Sequence, residues 1–110
     1  MRTGDKNQLI PLTGYEIAVL SCLRIAPEGL SVSDLRKYLR LFGKIEPSQA
    51  SLSAGLRRME LRAWITPGVK TFGDGVRGPR QVSTWMIINP GRDVLKAHDE
   101  WYQKLTRIAA

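Results

Sequence analysis

Hydrophobic positions along the chain recur mostly at three- and four-residue spacing, interrupted once by a glycine-rich stretch and a run of β-formers. Thr13-Gly14-Tyr15-Glu16 has the form of a capping box, in which Thr13 accepts from a backbone N–H and Glu16 reaches back. Ile17, Leu20 and Ile25, with Val19 and Leu23 beside them, then repeat at helical spacing until Pro27 and Gly29 end the run. Gly29 to Val32 predicts a very short strand. Ser31 or Ser33 then caps a second helix whose core residues are Leu35, Tyr38, Leu39 and Phe42 and whose stop is Gly43. Lys44 to Pro47 predicts a turn into a third helix, which Pro47 opens from its first turn or Ser48 caps.

The third helix has two sharply different sides. At roughly 100° per residue, Leu52, Leu56, Met59 and Ala63 fall in a narrow apolar stripe, and Ala50, Ser51, Ser53, Ala54, Arg57 and Arg58 spread over the far side. Trp64 to Pro67 ends this helix and begins an extended segment. Gly68 to Arg80, with its glycines, Pro79 and an Asp74-Gly75 turn signal, predicts a hairpin tip. The returning strand is Val82 to Ile88, with Trp85 and Ile87 on one face and Thr84, Met86 and Ile88 on the other. Asn89-Pro90 opens a last helix, along which Val94, Leu95, His98, Trp101, Tyr102, Leu105 and Ile108 form an apolar stripe.

Three helices, a hairpin and a final helix describe a winged helix-turn-helix: mainly α with a small β-hairpin (α+β), with a three-helix core, a wing and a C-terminal dimerisation helix. The expected divisions are a flexible N-terminal arm over residues 1–11, carrying Arg2 and Lys6, a DNA-binding domain over 12–88, and the dimerisation helix over 89–110.

Charge strengthens this picture. The chain has 110 residues, the size of one domain, and seventeen Lys and Arg against ten Asp and Glu give a net charge of +7. Ten of the basic residues and four of the acidic ones lie between Ser31 and Val82, so the excess is concentrated around the second and third helices and the hairpin. Such a charge favours a polyanionic partner such as nucleic acid or an anionic membrane, and the helix-turn-helix order makes double-stranded DNA the expected one. No apolar run reaches the roughly 20 residues that span a bilayer, so a cytoplasmic, nucleoid-associated protein without membrane contact is expected. Cys22 and His98 are the single cysteine and histidine. With no Gly-x-x-x-x-Gly-Lys loop and no nucleophile motif for that histidine, neither an enzyme nor a cofactor or metal site is expected.

Ala50 to Glu60, followed by Ala63-Trp64-Ile65, resembles the recognition helix of the PadR-like transcriptional regulators, which reads Gly-Thr-Leu-Tyr-Pro-Ala-Leu-Lys-Arg-Leu-Glu and then Gly-Leu-Ile. Leu52, Leu56, Arg58, Glu60 and Ile65 match; Ser53 stands where the family has tyrosine, and Ala63 where it has glycine. Downstream, Arg77-Gly78-Pro79-Arg80 and Trp85-Met86-Ile87 with Gly91 are similar to the family's basic wing and its Tyr-x-Leu-Thr-x-x-Gly. More broadly, the hydrophobic spacing is that of PadR- and MarR-like winged helices. The resemblance implies a homodimeric transcriptional regulator.

On this reading Gln49, Ser51 and Ser53 hydrogen-bond to bases or phosphates near the start of the third helix, and Arg57 and Arg58 anchor it. Lys70, Arg77 and Arg80 meet the minor groove or its phosphates from the wing. Arg36, Lys37 and Arg40 form a solvated face that brings at most one side chain to the backbone. Val94, His98, Trp101, Tyr102, Leu105 and Ile108 pair with the same helix of a second copy; packing against helix 1 in a monomer is the alternative. A small-molecule effector is compatible with this architecture, but no residue indicates one. Two other functions share these features: a winged-helix interaction module, and a non-specific architectural nucleic-acid-binding protein.

Overall fold

The computed structural model describes residues 12–73 and 78–109. Its elements are α1 (Gly14–Arg24), α2 (Val32–Tyr38), α3 (Gln49–Leu61), β1 (Ile65–Phe72), β2 (Arg80–Ile87) and α4 (Asn89–Ala109), the expected three helices, antiparallel hairpin and final helix. The proposed arm over 1–11, the Asp74-Gly75 turn and Arg77 lie outside the described residues.

Each of the first three helices begins where a side-chain oxygen can satisfy an orphan N–H. Thr13 Oγ1 accepts from the Glu16 N–H at 3.1 Å and Glu16 Oε1 accepts from the Thr13 N–H at 3.0 Å, closing the capping box. Ser31 caps α2 through the Asp34 N–H, and Ser48, rather than a first-turn Pro47, caps α3 through the Ser51 N–H. The inward faces of all three meet in one core: Leu20, Leu23, Leu35, Leu39, Leu52, Leu56 and Met59 have no exposed surface. Cys22 is buried there, and burial pushes its thiol up, so it behaves as a small apolar residue.

Three expected core positions are outside it, each for a local reason. Ile25 is 73% exposed because α1 stops at Arg24, and Ala26 turns back onto the core instead. Phe42 is 75% exposed because α2 widens into a π-helical turn over Leu39–Gly43, where the Lys44 and Ile45 N–H groups both donate to the Leu39 carbonyl. The wider turn carries Phe42 off the stripe and brings Ile45 onto it. The left-handed stop is Lys44 (φ 54°), not Gly43.

Ala63 is the third. Helix α3 closes with the Ala63 N–H donating to the Glu60 carbonyl at 2.9 Å and the Trp64 N–H to the Met59 carbonyl at 3.1 Å, a Schellman pair with Ala63 left-handed at φ 61°. Ala63 is therefore exposed, and Trp64 and Ile65 carry the buried face onward into β1. The left-handed conformation disfavours a Cβ. Ala63→Gly is expected to stabilise the fold by about 0.5–1 kcal/mol, read as a higher midpoint in urea with an unchanged m-value.

The hairpin is longer than expected: β1 and β2 pair from Ile65↔Ile87 to Phe72↔Arg80, which places Gly68 and Lys70 in a strand and not at a tip. Trp85 exchanges both backbone hydrogen bonds with Leu30, at 2.8 and 3.0 Å, so the short strand predicted at Gly29–Val32 is a single bridge on the far side of β2. Opposite Trp85 stands Pro67, at a register position that asks for no N–H from β1, which is why the proline is tolerated. Gly29 and Gly68 are packing glycines: a Cβ on either would meet Thr84 Oγ1 and the Met86 side chain within 3.3 Å.

Helix α4 joins this body through its first half. Leu95 is fully buried, and Arg24 Nη1 on α1 donates to Asp99 Oδ2 at 2.9 Å. Gly91 lies so close to the chain at Trp64 that a Cβ there would run into the Trp64 carbonyl oxygen, the same oxygen that accepts the Ile88 N–H.

Candidate nucleic-acid interface

The two sides of α3 separate as their residue types require. Leu52, Gly55, Leu56 and Met59 are buried, and Gln49, Ala50, Ser51, Ala54, Arg57 and Arg58 are exposed, with Ser53 between. The exposed side is made of short side chains at its N-terminal end and two arginines a turn and a half further on. Free N–H groups and the positive end of the helix dipole are at the same end as the serines.

Helices α2 and α3 enclose a groove that the linear pattern does not reveal. Val32, Ser33, Arg36, Lys37 and Arg40 line one wall, and Glu46 to Gln49 line the other. Arg36 and Lys37 project from α2 and Arg40, four residues after Arg36, from the π-helical turn that continues it, so the three cations line one flank and face the start of α3. Arg36, Lys37 and Arg40 were therefore legible as a cationic face, but its opposition to the α3 N-terminus depends on the turn between the helices. Chemically the groove matches an elongated anion better than an apolar ligand.

The wing residues are more dispersed. Arg80 is exposed at the start of β2, and Lys70 lies opposite Val82 within the hairpin, its Nζ 3.9 Å from Glu28 Oε1. Glu28 thus competes for Lys70 with any outside anion.

The α4 residues divide in two. Val94 is half-buried against the core, and His98 is half-buried with its Nδ1 shielded and without a hydrogen-bond partner among the described residues, its ring 5.9 Å from that of Trp101. Beyond them the helix leaves the core, and Trp101, Tyr102, Leu105 and Ile108 are 46, 58, 43 and 83% exposed on one stripe. Packing against α1 in the monomer therefore covers the first half of the stripe and leaves the second half in water.

Among the described residues no cluster of three or more His, Cys, Asp or Glu could hold a metal, and no helix is long and apolar enough to cross a membrane.

No protein-family model and no curated protein matches the sequence. Solved structures do match in shape. A PadR family transcription regulator from Clostridium difficile R20291 is similar with a TM-score of 0.69 at 16% identity, over 87% of this chain and 94% of that one. A PadR-like transcriptional regulator from Bacillus cereus gives 0.68 at 18%, over 86% of each chain. Bacillus subtilis PadR in complex with operator DNA gives 0.59 at 20%, over 84% of this chain and 48% of that one. The likeness is one of fold: the chain has the winged-helix architecture of these regulators.

Proposed function

We propose that this protein is a homodimeric, sequence-specific DNA-binding transcriptional regulator without catalytic activity. The observation that carries the reading is the two-sidedness of α3. Leu52, Leu56 and Met59 on its inner side are wholly buried, and its outer side, with small residues and arginines ahead of the exposed Glu60 and Leu61, is continuous with the cationic groove of α2. Small side chains let the helix backbone approach a major groove closely, and Gln49, Ser51 and Ser53 then reach base edges or phosphates. Arg57 and Arg58 contact phosphate from the same helix, and the α2 groove takes the neighbouring stretch of backbone. Arg80, with Arg77 and Lys70, meets the minor groove or its flanking phosphates. The operator-bound protein of the same fold supports DNA as the partner.

The exposed half of the α4 stripe supports pairing with a second copy, through Trp101, Tyr102, Leu105 and Ile108, with Val94 and His98 at its inner end. A two-fold axis through that pairing sets two copies of α3 on successive turns of DNA, about 34–36 Å apart. The site of action is then the cytoplasmic nucleoid.

One titration tests the reading. With about six phosphates neutralised per protein, log K for duplex DNA is expected to fall with log salt at a slope of about −5, and sedimentation of the same sample is expected to give twice the chain mass. Affinity that does not change with salt, or equal affinity for duplex RNA, overturns DNA as the partner. A monomer at micromolar concentration overturns the homodimer.

A further inference from the structure

Gly55 sits in the middle of α3, where a helix disfavours glycine relative to alanine. Its surroundings give the reason. A Cβ at Gly55 would stand 2.8 Å from Cε2 and 3.5 Å from the hydroxyl oxygen of Tyr15, so the ring of Tyr15 is seated on the bare backbone of α3. Arg58 follows one turn later, and helical side chains lean toward the N-terminus of their helix. Its Nη2 lies 3.6 Å from the same point, so ring edge and guanidinium both border the space over Gly55.

Tyr15 is itself fixed. The Thr13–Glu16 capping box sets the first turn of α1, and Glu16 Oε2 reaches Arg62 Nη1 at 3.6 Å, holding that turn against the far end of α3. The Tyr15 hydroxyl is buried without a hydrogen-bond partner among the described residues, so what this position uses is the ring. Burial pushes the phenol up, and the Arg58 charge acts against that shift, so the two side chains sense one another. Arg58 has no ion pair among the described residues, and a long unpaired arginine loses rotamer freedom when it is held on a ligand.

We propose that Tyr15, which lies outside the helix-turn-helix, is a positioning residue for Arg58: its ring, seated on Gly55, is the wall that lays the guanidinium along α3 before DNA arrives. The proposal rests on the DNA-binding reading above. Ordering one such side chain in advance corresponds to about a five-fold gain in affinity.

The test is a set of double-mutant cycles on a mixed-sequence DNA duplex of about three helical turns. Tyr15→Ala is expected to weaken binding about five-fold in the wild-type background and not at all in an Arg58→Ala background. Combined with Arg57→Ala, the same change is expected to multiply. Tyr15→Phe keeps the ring and is expected to bind as wild type and melt no lower. Gly55→Ala displaces the ring while favouring the helix, and reports on the same contact if Tyr15→Ala folds poorly; it is expected to lose the same five-fold and to lose nothing once Arg58 is gone. Losses that multiply with Arg58→Ala as they do with Arg57→Ala overturn the proposal, as does a Phe variant as weak as Ala. No binding by the unmodified protein overturns this proposal and the DNA-binding reading together, whereas multiplicative losses leave that reading standing.

Discussion

Arg57→Ala with Arg58→Ala is expected to weaken duplex DNA binding about 100-fold at physiological salt, a loss of about 2.7 kcal/mol. Both side chains are exposed on the outer side of α3, so their removal opens no cavity and leaves no buried group unpaired. Circular dichroism and the melting temperature should therefore stay within error of wild type, which separates lost contacts from lost structure. The loss has two signatures beyond its size. The salt slope should fall by about two, one for each phosphate contact removed. The deficit should also shrink as salt is raised, because the missing terms are the screened ones. Unchanged affinity would mean that the arginines only solvate the helix and that the α2 groove carries the electrostatics.

The second large effect concerns stability. Gly91→Ala puts a methyl group against the Trp64 carbonyl oxygen, with Trp64 C and Ile87 Cγ1 each 3.0 Å away. Two of these three neighbours are backbone atoms, and the carbonyl is also held by the Ile88 N–H, so the site cannot relax by turning a side chain. Overpacking of this kind costs about 1–3 kcal/mol, more than the roughly 1 kcal/mol that alanine returns in a helix. A net loss of about 1–2 kcal/mol is expected, a drop on the order of 5–10 °C in Tm for a domain of this size. An unchanged melting curve would show that α4 can lift off Trp64 freely.

Gly91 also illustrates what can and cannot be read from a linear pattern. Its place in a family-like motif was visible, and its reason was not, because the atom it must avoid lies on the other side of the hairpin. The caps at Thr13, Ser31 and Ser48 were legible because a cap is a bargain between residues three apart. The buried side of α3 was legible for a similar reason, its period being carried by the residues themselves. Phe42 was misplaced because a π-helical turn shifts the phase of everything after it, and no residue type in Leu39–Gly43 announces one. The glycines at 68 and 55 were ambiguous in a third way. A strand glycine under Thr84 and Met86 looks in sequence like a turn glycine, and the partner of Gly55 comes from α1, about forty residues earlier.

The junction at Trp64 gathers the end of α3, the start of β1 and the first turn of α4 onto one short stretch of backbone. Nothing at that point has the slack of a hinge: Trp64 gives its N–H to α3, its carbonyl to Ile88, and its contact surface to Gly91. Mechanically, α4 and α3 are then two arms of one rigid crank. In the dimer proposed above, paired along α4 with α3 toward DNA, a pivot of one copy against the other would carry its α3 with it through this junction. On that proposed reading, the α4 pairing would bear on the distance between the two α3 helices, and so on the spacing of half-sites they could span.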